Sequence, residues 1–91
     1  MWYIYVVKCA DSSLYCGITK NVVDRIKKHN SGKGAKYTRS RLPVFLVDYA
    51  EVSESKSLAL KAEIKFKRLS RAKKLELLEQ GLCSLMHITQ T

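Results

Sequence analysis

Residues 2–8 are aromatic and β-branched, and a second run of the same kind covers residues 14–19, with Ala10-Asp11-Ser12-Ser13 between them. Two such runs around a short polar stretch predict a β-hairpin. A three-residue loop over 11–13 sets Cys9 opposite Tyr15, Val7 opposite Gly17 and Tyr5 opposite Thr19. Opposed residues share a face. Trp2, Ile4, Val6, Leu14, Cys16 and Ile18 therefore form an apolar core side, and Tyr3, Tyr5, Val7, Tyr15, Gly17 and Thr19 form the other. A two-residue loop slips the pairing by one and separates Tyr5 from Tyr15; the apolar sorting favours the first register. Gly17 then leaves a gap beside the phenols that a ligand's backbone can approach.

Asn21 is an N-cap residue with Asp24 in the capping-box position, and Val22, Val23 and Ile26 supply an apolar stripe for a helix over about residues 21–30. Arg25 and His29 are i,i+4 neighbours on one face of it. Asn30-Ser31-Gly32-Lys33-Gly34 ends the helix, and a basic loop carrying Lys33, Lys36, Arg39 and Arg41 runs to residue 41 without an acid. After Pro43, residues 44–50 are a nearly continuous apolar run, which predicts a third strand, central in its sheet. A second helix capped within residues 53–57 runs to about residue 68, with Ala59, Ala62, Phe66 and Leu69 at buried-stripe spacing. Glu63 lies inside that stripe, among Lys61, Lys65, Lys67 and Arg68. A carboxylate on an apolar face must be paired, hydrogen-bonded or metal-bound, because burying it bare costs several kcal/mol. Ser70 caps a third helix with Leu75, Leu78 and Leu82 turned inward and Gly81 near its end. The chain divides into a domain over residues 1–82 and a tail over 83–91.

Composition sharpens this outline at two points. With 91 residues there is length for one core, so the fold class is α+β, sandwich-like: a small three-stranded antiparallel sheet flanked by helices in the order β-β-α-β-α-α. The net charge of +9 points to a polyanion partner, nucleic acid first. Lys28 and Lys67 extend the basic surface of the 33–41 loop. The apolar N-terminus is short and lacks a basic lead-in, no stretch reaches the roughly 20 apolar residues of a membrane span, and Cys9, Cys16 and Cys83 show no metal-binding or disulfide spacing. A cytoplasmic protein is expected.

Tyr5, Tyr15, Arg25, His29 and Glu63 remain to be explained. Each has an ordinary use taken singly: a half-buried sheet tyrosine, a surface arginine, a histidine at a helix C-terminus, a glutamate paired with lysine. Together they fit phosphodiester hydrolysis, which needs an activated water, a cation on the non-bridging oxygens and help for the leaving oxygen. Arg25 matches a phosphate as a planar fork, and Glu63 suits a hard ion such as Mg²⁺. A tyrosine beside a metal and an arginine has its pKa pulled below ~10 and can serve as general base, with His29 sharing the proton.

The order Tyr3-Ile4-Tyr5, Tyr15-Cys16-Gly17, Arg25, His29, Glu63 resembles the GIY-YIG nuclease family over about residues 2–80, in particular its short stand-alone bacterial members. The resemblance implies divalent-metal cleavage of DNA, with one Mg²⁺ or Mn²⁺, in a repair or recombination setting. By position it makes Tyr5 the general base, Tyr15 the group orienting water or phosphate, Arg25 the phosphate clamp, His29 a proton-transfer partner and Glu63 the metal ligand. Tyr3 stands where the family name has Gly, and Cys16 where it has Ile. Some members carry an Asn after the glutamate; none occurs beyond residue 63 here. Without a separate recognition domain, binding is expected to be electrostatic and salt-sensitive, DNA before RNA, with a protein partner supplying specificity. Two other readings stand beside the nuclease: a non-catalytic nucleic-acid-binding module of the same fold, and an assembly subunit whose Leu and Met tail meets a partner.

Overall fold

The computed structural model describes residues 1–85. Its sheet has the order β2-β1-β3, built from β1 (Trp2–Lys8), β2 (Leu14–Thr19) and β3 (Phe45–Ser53), all antiparallel. The helices are α1 (Val22–Lys28), the short α2 (Lys36–Arg39), α3 (Lys56–Lys67) and α4 (Arg71–Gln80). The expected α+β class and element order stand, with α2 inserted where the sequence predicted only loop.

The hairpin register is a correction. Tyr5 opposes Gly17 and Val7 opposes Tyr15, a slip of two residues from the expected pairing. The loop is formed by residues 10–12 instead of 11–13: Cys9 N donates to Ser13 O, and Ser12 takes a positive φ of 69° in the αL region. Asp11 fixes this turn by accepting from both the backbone and the hydroxyl of Ser13, a local side-chain device that apolar patterning does not reveal. A slip of two preserves the side-chain faces, so Tyr5 and Tyr15 still share one. It also changes what Gly17 is for. A β-carbon there would lie 2.6 Å from the Tyr5 hydroxyl, so the gap is filled by the protein's own phenol, not left for a ligand.

The central strand is β1, not the third strand as its apolar run predicted. Ile4, Tyr5, Val6 and Val7 are all buried, while β3 has a partner on one side only and leaves Phe45 62% and Tyr49 52% exposed. Both faces of β1 are covered. Ile4 and Val6 pack with Cys16, Ala62, Phe66 and Leu77 beneath α3 and α4, and Tyr5 and Val7 pack with Cys9, Val44, Val22 and Ile26 on the opposite side. The stripe Ala59, Ala62, Phe66 is buried as expected. On α4, Leu78 packs against the core as expected, but Leu75 is 42% exposed and Leu77 is buried in its place, because the inward side of the helix is centred on Leu77 and Leu78. Ser70 caps α4 by accepting from Lys73 N, and Gly81 ends it at φ 104°. Leu82 and Leu85 both join the core beneath α3 and α4. Met86, the other apolar residue of the expected tail contact, lies outside the described residues.

Candidate active site

The hairpin and α1 bring their chemistry to one point. Asn21 accepts from Asp24 N and starts α1 where β2 ends. One turn into the helix, Arg25 faces the sheet, and a turn later His29 is fully buried against it. The helix does not stop there. Residues His29–Lys33 form a π-helical turn closed by Gly32 at φ 81°, and this wider turn carries the chain across to α2. Asn30 secures the crossing, since its side chain both accepts from Val44 N at 2.8 Å and donates to Val44 O at 3.1 Å.

The Tyr5 hydroxyl and His29 Nε2 are 2.7 Å apart, and Arg25 Nε donates to the same phenol oxygen at 3.4 Å. On the far side of the ring, His29 Nδ1 lies 2.8 Å from Thr38 Oγ1, which itself donates to Ala35 O at 2.9 Å. These contacts assign the protons. Thr38 spends its one hydroxyl hydrogen on a carbonyl, so it can only accept from His29, and Nδ1 carries the imidazole hydrogen. Nε2 is then a bare acceptor and Tyr5 donates to it. Burial, reinforced by the Arg25 charge, holds the His29 pKa below its ordinary 6.5 and keeps the ring neutral.

Tyr5 departs from expectation. Burial outweighs the lowering influence of Arg25 and pushes the phenol up to about 12, instead of pulling it below ten. The hydroxyl is a firm donor, and its proton has one buried acceptor, His29 Nε2.

Tyr15 meets the edge of the His29 ring, with centroids 5.5 Å apart, and on its other flank runs nearly parallel to Tyr37 at 5.9 Å. Glu63 arrives from the opposite side of the sheet, on α3, where its side chain is 18% exposed and Lys67 Nζ lies 3.6 Å from Oε1. Among the described residues no hydrogen bond joins Glu63 to Tyr5, Arg25 or His29. Its partner Lys67 reaches as far as Tyr15, with the ammonium 5.6 Å over that ring. Among the described residues no group of three or more His, Cys, Asp or Glu side chains could cage a metal. A single, mostly buried carboxylate beside an exchangeable ammonium fits a hydrated Mg²⁺ that takes its remaining ligands from water and a phosphate.

The basic residues separate by environment. Lys28, Lys36 and Arg39 are exposed and Lys33 lies at the π-turn. Arg41 is engaged internally: it pairs with Asp11 at 3.1 Å, donates to Tyr37 O at 2.8 Å and covers the Tyr37 ring at 4.0 Å. The loop lacked an acid in sequence, but the hairpin turn supplies one in space. Ile4 and Cys16 are core residues, and Tyr3 rests edge-on against Tyr49.

Three residues of this site escaped sequence reasoning. Thr38 and Gly34 act through His29, and Tyr37 through Tyr15. Gly34 lies against the imidazole so closely that a β-carbon would overlap Nδ1 and fall 2.8 Å from His29 Cα. The available signal was an aromatic and a threonine interleaved with cations just after a Gly-Lys-Gly turn at residues 32–34.

The GIY-YIG catalytic domain family matches residues 1–76. A UPF0213 protein of Staphylococcus saprophyticus is 56% identical over 79 residues, covering 87% of this chain and 95% of the relative. One of Staphylococcus haemolyticus is 54% identical over 78 residues, covering 86% and 94%. Among solved structures, the solution NMR structure of a UPF0213 protein from Bacillus halodurans is 48% identical with a TM-score of 0.56, covering 88% of this chain and 85% of that one. A protein of E. faecalis, also solved by NMR, is 44% identical with a TM-score of 0.52, covering 82% and 80%. Fold, motif order and these likenesses agree, and the chain belongs to the GIY-YIG catalytic domain family.

Proposed function

We propose that the protein is a metal-assisted endonuclease hydrolysing phosphodiester bonds, with DNA as the substrate assigned from the family resemblance. The observation that carries this reading is the convergence of Arg25 and His29 on the single phenol oxygen of Tyr5. A structural tyrosine needs one partner. Here one neighbour can accept its proton and the other carries a permanent positive charge.

Among the described residues the terminal nitrogens of Arg25 have no hydrogen-bond partner, so the outer edge of the fork is available to a phosphate. A charge-assisted bidentate pair is stronger than a 3.4 Å contact to a neutral phenol. Phosphate binding therefore draws the guanidinium outward and uncovers the buried oxygen. An attacking water then gives a proton to Tyr5 Oη while Tyr5 passes its own to His29 Nε2. The phenol never has to exist as a free phenolate, so a high pKa is compatible with the role. Thr38 accepts from Nδ1 throughout and stabilises the imidazolium. Glu63 would hold the divalent ion once Lys67 swings away, and Tyr15 orients the phosphate. A bound Mg²⁺ or Mn²⁺ supplies charge neutralisation at the phosphate and the leaving oxygen.

The test is cleavage of single-stranded, nicked and branched DNA and of RNA, with and without Mg²⁺ or Mn²⁺. Arg25→Ala and Glu63→Gln should each lower the rate by a factor of about 100 or more with thermal unfolding little changed. Full activity in Glu63→Gln, or no cleavage by the native protein in any combination, rejects the enzyme. Retained nucleic-acid binding in the latter case leaves the non-catalytic binding module.

A further inference from the structure

A groove of about 440 Å³ lies beside Tyr15, along the edge of β2 that no strand covers, between α2 and the α3–α4 pair. Its walls include Tyr15, Tyr37, Phe66, Lys67 and Lys74. None of the motif residues except Tyr15 needs it, and the proton-transfer scheme makes no use of it. We propose that this groove holds one unpaired nucleotide of the substrate strand, its base against the Tyr15–Tyr37 pair and its phosphate at Lys67 and Lys74.

Three features favour this occupant. The first is the aromatic wall. Tyr37 is 40% exposed although its ring is not free to turn: Arg41 covers it at 4.0 Å and is itself anchored by Asp11. Arg41 and Tyr15 already lie against this ring, so it offers a rigid aromatic edge, and a nucleobase packing edge-to-face on that edge loses little further entropy. The second is charge. Lys74 Nζ stands over Phe66 at 5.7 Å and Lys67 Nζ over Tyr15 at 5.6 Å, so both ammonium groups border the aromatic wall instead of lying remote from it. A ligand that matches the groove is flat and apolar at one end and anionic at the other. The third is position. Tyr15 belongs to both the groove and the edge contact with His29, so a nucleotide seated here lies one side chain away from the Tyr5–His29 pair. The volume suits one nucleotide, not a duplex. Moving Lys67 onto that nucleotide's phosphate also removes the ammonium from Glu63, which ties occupation of the groove to freeing the carboxylate.

The inference rests on the nucleic-acid reading above and adds the substrate class, a strand with at least one unpaired base. It is tested without catalysis, by fluorescence anisotropy in metal-free buffer containing EDTA. The probes are a short thymidine oligonucleotide and the same strand made of abasic sugar-phosphates. The native protein should bind the base-bearing strand at least about five-fold more tightly. Tyr37→Leu should remove that preference, Tyr37→Phe should keep it, and Lys74→Gln should weaken both strands alike. A strand carrying 2-aminopurine should lose fluorescence on binding the native protein, a readout that needs no variant to fold. Equal affinity of the native protein for both strands, absence of 2-aminopurine quenching, or an undiminished preference in a folded Tyr37→Leu variant each overturns the groove. Base preference without cleavage in Mg²⁺ keeps the groove and rejects the nuclease; cleavage without base preference does the reverse.

Discussion

At the scale of single residues, Thr38 carries more than its size suggests. Its hydroxyl is committed to Ala35 O, and that commitment makes Nδ1–H the hydrogen-bearing nitrogen of His29. Thr38→Val keeps the shape but leaves a buried N–H without an acceptor, which costs ~1–3 kcal/mol. Thr38→Ser should recover most of it, as read by chemical denaturation, and nitrogen-15 NMR of His29 should show the tautomer shifting only in the valine variant. His29 also sets a pH dependence whose sign is fixed. Its pKa is held down in the folded protein, so below about 6.5 the unfolded chain binds the proton more readily and stability falls with pH. Thermal unfolding should therefore move to lower temperature as pH drops from 7 through 6. His29→Gln should flatten that trend, and an equal slope in the variant would assign it to other groups. The rate of cleavage should show its acid limb at lower pH than this, below 6.5, because the folded protein keeps His29 neutral until its depressed pKa is passed and only protonated His29 cannot accept from Tyr5. Arg25, His29 and both tyrosines were legible from i,i+4 spacing and strand alternation, which are local rules. Thr38 was not, because nine residues and a π-helical turn separate it from His29.

At the scale of elements, the hairpin and the crossing from α1 to α2 set the site's dimensions. β2 can approach β1 at Tyr5 only because position 17 has no side chain. Gly17→Ala must drive the Tyr5 ring away from a β-carbon that would start 2.6 Å from its oxygen. Overpacking of this kind costs ~1–3 kcal/mol, and the 2.7 Å bond to His29 should be lost with it. The check is loss of both stability and cleavage in this variant, against loss of cleavage alone in Arg25→Ala. A variant with unchanged melting would mean that the ring has room to yield. The hairpin was predictable as an element, and the shared face survived because an even slip leaves alternation intact. The pairing partner was missed because the Asp11–Ser13 contacts decide where the turn sits. The same limit applies to β3. Its apolar run reads as a buried central strand, yet its place at the sheet edge depends on which neighbour β1 pairs with on each side.

At the scale of the whole molecule, charge and topology act together. A net charge of +9 on 91 residues makes nucleic-acid binding a counterion-release process. If about four phosphates are neutralised, raising salt from about 50 to about 200 mM should weaken binding by a factor of about 50 to 150. Anisotropy titrations across that range measure it, and an affinity indifferent to salt would point to a protein partner instead. Arg41 should contribute little, since Asp11 already holds it, whereas Lys67 and Lys74 border the groove beside Tyr15. By itself the sequence determined the elements other than α2, the core stripe of α3, the basic surface and the list of reactive side chains, because alternation, helical spacing and charge are written locally. Only the tertiary structure decided that β1 is central, that Arg41 is paired, that the Tyr5 phenol is held protonated by burial, and that Thr38 orients His29. Each of these depends on what packs against a residue from elsewhere in the chain, and desolvation and hydrogen-bond partnership exist only once those neighbours are in place. Glu63 marks the boundary. Its spacing announced a carboxylate in need of a partner and put Lys67 one turn away to pair with it, but only the fold set both on the face of the sheet opposite Tyr5.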